Sequence, residues 1–112
     1  MATMINNNAQ MIFLGTELKL NVNIQPIGDL SMADYDFKVE VYVSPNKSVI
    51  IEKDNAIKVD DDNYLILVDT NEIGAGSVKC KGTALIPDAD FSDLLRTEIV
   101  AINTGINVVK SI

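Results

Sequence analysis

Histidine and tryptophan are absent from this sequence, and cysteine occurs once, at Cys80. Without histidine there is no Ser-His-Asp or Cys-His nucleophile pair and no imidazole-ligated zinc or iron. A single thiol can form neither an intrachain disulfide nor a thiolate cage, so a disulfide-stapled secreted fold is excluded. Glycine is sparse, and Gly74-Ala75-Gly76 precedes a strand pattern instead of opening a helix, so no phosphate-cradling loop is present. Nine Lys and Arg face sixteen Asp and Glu, and the net charge of −7 disfavours nucleic acid as a partner. No run approaches the roughly 18 apolar residues of a membrane span. The opening MATMINNNAQ has neither the basic nor the apolar region of a signal peptide. Neither membrane nor nucleic acid is therefore expected as a partner, and the chain is expected to start in a cytoplasm.

What the sequence does have is alternation. Leu18, Leu20, Val22 and Ile24 alternate with Lys19, Asn21, Asn23 and Gln25, and Tyr35, Phe37, Val39, Val41 and Val43 repeat the pattern. Side chains on a strand point to opposite faces in turn, so each run is a strand with one buried and one wet face. Shorter runs follow at 10–14, 49–53, 57–59, 64–69, 78–86 and 95–102, broken by Gly15, Pro26, Pro45, Asp54-Asn55, Asp60 to Asn63 and Pro87. The segment Tyr64 to Asp69 is apolar nearly throughout and reads as a central strand covered on both sides, or as an edge beside a partner. Thr70 to Gly74 reads as one helical or 3₁₀ turn, capped by Thr70 and ended by Gly74. This rhythm predicts an all-β, immunoglobulin-like antiparallel β-sandwich of seven or eight strands over residues 10–105. Residues 1–9 read as a polar N-terminal arm and 106–112 as an apolar C-terminal tail, apolar enough to form a further strand after Thr104-Gly105 although it sits at a terminus. The tryptophan and cysteine pair of antibody domains are missing, and Cys80, between Val78 and Gly82, reads as a small buried hydrophobe.

Only the acidic turns offer chemistry. Asp60, Asp61 and Asp62 sit in one turn and Asp88, Asp90 and Asp93 in another, and loop carboxylates at such spacing can ligate Ca²⁺. The second set lacks the glycine and glutamate of an EF-hand, and aspartate is favoured in any turn because its side chain bonds the nearby backbone. A carboxylate-pair glycosidase would need aromatic platforms, whereas Tyr35, Phe37 and Tyr64 read as core. No catalytic, cofactor-binding or metal-ligating residue is therefore assigned, no cofactor is expected, and the chain is not expected to be an enzyme. An arm and an apolar tail flanking a sandwich suit an assembly, where they can add to a neighbour's sheet.

The segments FKVEVYVSPNK, IKVDDDNYLILVDTNEIGAG, GTALIPDADFSDLLRTEIV and INTGI resemble small immunoglobulin-like proteins of phages and prophages of Bacteroidales. Among these are the auxiliary, head-decorating capsid proteins of crAss-like phages. The N-terminal domain of phage baseplate upper proteins is a looser likeness. The similarity spans roughly Glu17 to Ile106 and consists of strands and turns with no catalytic signature. It implies a virion structural role, assembled in the host cytoplasm. The partner would be the major capsid protein or another virion protein, met in many copies per particle. The alternative it implies is a fibre- or baseplate-associated module that binds a host glycan or another virion protein.

Overall fold

The computed structural model describes residues 10–24 and 30–110. The strands are β1 (Gln10–Phe13), β2 (Glu17–Val22), β3 (Asp36–Ser44), β4 (Lys47–Glu52), β5 (Ile57–Asp60), β6 (Asn63–Asp69), β7 (Gly76–Pro87) and β8 (Leu95–Val109). Short 3₁₀ turns lie at Met32–Asp34, Lys53–Asn55 and Thr70–Glu72. One sheet has the order β1-β8-β7-β3-β4 and the other β2-β6-β5. The sheets pack against each other as an all-β sandwich. Every pairing is antiparallel except β1 with β8, which is parallel. The arm over 1–9, the strand end at Gln25-Pro26 and the last two residues lie outside the described residues.

The alternation dictates what the two sheets trap. Leu18, Leu20 and Val22 of β2, and Tyr64, Ile66 and Val68 of β6, meet Phe37, Val39 and Val41 of β3 and Val78, Cys80, Ala84 and Ile86 of β7 in one core. Small residues on β7 make room for large ones on β3, since Ala84 lies opposite Phe37 and Gly82 opposite Val39. Phe37 then reaches across the sandwich, its ring 5.1 Å from that of Tyr64 in edge-to-face contact. Such a pair adds about 0.5–1.5 kcal/mol beyond the area it buries.

Two strand boundaries and one turn cap differ from the sequence pattern for local reasons, while Gly74 keeps its expected place. Strand β3 starts at Asp36, because the Asp34 carboxylate accepts the Ser31 N–H and hydroxyl at 3.0 Å and holds residues 32–34 in a 3₁₀ turn. Strand β4 ends before Lys53, whose ammonium turns back to donate to the carbonyls of Ala33 and Tyr35 at 3.2 and 2.7 Å. The cap of the Thr70 turn is Asp69, which accepts the Asn71 N–H at 2.9 Å, whereas Thr70 is wholly buried. Gly74 ends that turn at φ +88°, donating its N–H to the Thr70 carbonyl at 2.9 Å.

The largest difference concerns the apolar tail. Ile106–Val109 are not outside the sandwich: they continue β8, and Ile106 and Val108 are buried in the core. Ser77 pairs with Asn107 and Lys79 with Asn103, so Val78 alone lies opposite Thr104, Gly105 and Ile106. This is a bulge with an even number of extra residues. Side chains alternate with period two, so an even insertion keeps Ile102, Thr104, Ile106 and Val108 on the inner face. The bulge is closed by Thr104, whose hydroxyl donates to the Val78 carbonyl at 2.8 Å and accepts the Ile106 N–H at 3.1 Å. Gly105, at φ +79°, supplies the left-handed backbone the bulge requires.

Thr70 ties the sheets together at the other end. Its hydroxyl donates to the Thr16 carbonyl and accepts the Gly15 N–H, both at 2.8 Å, pinning the β1–β2 turn to the chain after β6. Replacing Thr70 with Val keeps the shape and removes both bonds. The variant should lose about 1–3 kcal/mol, read as a lower urea midpoint at unchanged m-value.

Candidate functional site

The two acidic turns are the first places to look for chemistry, and four of their six carboxylates already hold a partner. Asp60 accepts the Asn63 side-chain amide through both oxygens, at 2.9 and 3.1 Å, and the Asp62 N–H at 2.9 Å. Asp61 pairs with Lys58 at 3.1 Å. Asp88 accepts the Asp90 N–H through one oxygen and the Arg96 guanidinium through the other, at 3.0 and 2.7 Å. Asp93 accepts the Leu95 N–H at 3.2 Å. These carboxylates close hairpins. Among the described residues no three Asp, Glu or Cys side chains are grouped to hold a metal ion.

The hydrogen bonds on Asp60 hold its carboxyl below the usual carboxylate range, the Asn63 amide contributing most. A folded-state value below the unfolded one adds stability above the ordinary carboxylate range and withdraws it as pH falls through the lowered value. Asp60→Asn should therefore shrink the acid-side fall of the melting temperature below about pH 4, and leave its neutral-pH slope unchanged. A thermal melt series across pH checks this.

Cys80 is fully buried in the centre of β7, and burial pushes its thiol up to about 12. Nothing activates it as a nucleophile, because the thiolate is the reactive form. Tyr35 is likewise raised by burial, and its hydroxyl donates to the Ile24 carbonyl at 3.0 Å. The N–H of the same Ile24 donates to the Met32 sulfur at 3.2 Å, so both backbone groups at the end of β2 are satisfied from the 31–35 segment.

The outer face of the five-stranded sheet carries a shallow groove of about 420 Å³. Asp36, Lys38, Glu52, Lys53, Asp54, Thr83 and Thr97 line it, together with Phe37 and Leu85. Opposite charges face each other across the strands: Lys38 opposes Glu52, and Glu40 opposes Lys81. Such pairs stabilise a sheet and leave little net field for a charged ligand.

The surface is more distinctive where it is apolar. Strand β6 is the central strand of its sheet, yet among the described residues only its inner face is covered. Leu65 is half-buried and Leu67 is 56% exposed on the outer face, beside exposed Ile57 and Val59 of β5. Met11 and Phe13 stand in solvent on β1, at the edge of the other sheet. Phe91, Leu94 and Leu95 are exposed in and just after the β7–β8 loop.

No family model matches the chain, and neither a curated protein nor a solved structure is significantly similar to it. Among the described residues no helix is long and apolar enough to cross a membrane. The exposed apolar positions were only partly legible in the sequence. The apolar run of β6 signals two covered faces, while the exposure of Met11, Phe13 and Leu94 follows from strand order and loop geometry.

Proposed function

We propose that this chain is a non-enzymatic structural protein of a phage virion, an auxiliary capsid protein that packs on the head and bridges its subunits. The observation that carries this is the placement of apolar side chains on separate sides of one sandwich. Ile57 and Leu67 lie on the outer face of the three-stranded sheet with Val59 exposed nearby on β5, and Met11 and Phe13 on an edge strand of the other. Exposed apolar patches mark interaction sites, and a bridging subunit needs more than one. The strand order also supports the immunoglobulin-like assignment implied by the resemblance. The sheet β2-β6-β5 corresponds to strands B, E and D of that fold, and β8-β7-β3-β4 to G, F, C and C′. Mass spectrometry of purified particles should find this chain in high copy number, and its absence from them would overturn the proposal.

The polar groove gives a second reading some support. A fibre- or baseplate-associated module could hold a glycan between Asp36, Glu52, Asp54, Thr83 and Thr97, whose side chains offer hydrogen-bonding groups for hydroxyls. Binding above background on a glycan array favours it, and a blank array removes it.

A further inference from the structure

We propose that the β7–β8 loop is a rigid knob that inserts Phe91 and Leu94 into an apolar pocket with a cationic rim on a neighbouring virion protein. This deepens the virion proposal and rests on it.

Leu94 has φ +63°, in the left-handed region, and is the one non-glycine residue there among those described. A side chain with a Cβ is disfavoured in that region, and glycine would fit better. Leu94 does not compensate by burial, since 63% of it is exposed, and Phe91 is 47% exposed. Strained backbone of this kind persists where the surroundings over-determine it, and it gathers at functional sites.

The surroundings do over-determine it. The Asp88 N–H donates to the Leu94 carbonyl at 3.0 Å, and the Leu94 N–H to the Phe91 carbonyl at 2.9 Å. The Phe91 N–H reaches the Asp88 carbonyl at 3.3 Å. Arg96 clamps Asp88 at 2.7 Å, while its other nitrogen holds Glu98 at 2.9 Å. A loop fixed before it meets its partner loses little freedom on binding, and apolar anchors seated in pockets carry most of an interface's affinity.

Charge selects the partner. Arg96 pairs with both Asp88 and Glu98, and Asp90 and Asp93, next to Phe91 and Leu94 in the chain, are in no ion pair among the described residues. A pocket rimmed with Lys or Arg complements them, and an anionic lipid surface repels them.

The test adds the purified full chain to phage particles prepared without it and measures bound copies against concentration. Phe91→Ser with Leu94→Gly should weaken binding at least tenfold, as should Asp90→Lys with Asp93→Lys. Leu94→Gly alone should weaken binding while leaving the melting temperature unchanged or higher, which a residue serving only the fold would not do. A lower melting temperature for Leu94→Gly makes Leu94 a residue of the fold and overturns the inference. Equal binding by the Phe91/Leu94 double variant overturns the knob and leaves the virion proposal standing. A wild-type chain that binds no particles overturns both. Loop-dependent binding to phosphatidylcholine–phosphatidylglycerol vesicles would assign the loop to a membrane and overturn the inference.

Discussion

Val39→Asp should abolish the folded state. Val39 is fully buried in the middle of β3, between Gly82 of β7 and Ile51 of β4, in the apolar core, and among the described residues no Lys or Arg is buried. An ionised carboxylate there has no cation to pair with, and an unpaired buried charge costs several kcal/mol after all relaxation. Protonating it instead still buries an acid with unmet hydrogen bonds. Against a total stability of about 5–15 kcal/mol, either route removes most of what holds the domain together. Circular dichroism and thermal melting should show no cooperative transition for this variant. Lys38→Glu, one residue earlier, is the control. Its side chain is on the wet face, so the urea midpoint should move only by the equivalent of about 1 kcal/mol, for the lost cross-strand pair with Glu52. If Val39→Asp melts cooperatively near the wild-type temperature, the inward face of β3 is wrongly assigned.

Ending the chain after Gly105 should be nearly as damaging, although this removes only a short terminal segment. It takes Ile106 and Val108 out of the core, at about 1.5–3 kcal/mol for each buried side chain. It also removes the partner of β1, because Gln10, Met11, Ile12 and Phe13 pair with Ile106, Asn107, Val108 and Val109. Buried Ile12 then loses its support, and the loss spreads to a whole sheet edge. The truncated chain should unfold at a urea midpoint far below the full chain, or fail to fold. A truncation that melts like the full chain would show that 106–109 contribute nothing to the core.

The contrast between these two variants shows where the sequence speaks. Val39 is legible because Lys38 and Glu40 flank it and the alternation continues on both sides, so its burial follows from the pleat alone. Ile106 and Val108 obey the same alternation, but Thr104-Gly105 intervenes and has the composition of a chain break. Only the partner strand reveals that the interruption is an even-numbered bulge, which preserves the inward face. The parallel pairing of β1 with β8 has no local signal at all, since strand order is a property of the whole fold. Lys53 and Thr70 were missed for a related reason. Their hydrogen bonds reach residues far away in the chain, and nothing in the neighbouring sequence marks a buried threonine or an inward-bent lysine. The β7–β8 loop was legible as a turn from Pro87 and its aspartates. The left-handed backbone falls on Leu94, a residue type that gives no warning of it.

The parallel β1–β8 pair also sets the order of events during synthesis. Gln10 leaves the ribosome long before its partner Ile106, which lies some ninety-six residues further along the chain. At about 5–20 residues per second, β1 waits roughly 5–20 s for a strand to join. Strands β2, β3, β6 and β7 emerge and can pair within that interval, while Met11, Ile12 and Phe13 remain an unpaired apolar segment open to any other nascent chain. The interval when this protein is most prone to misassociation is therefore set by how far apart β1 and β8 lie along the messenger.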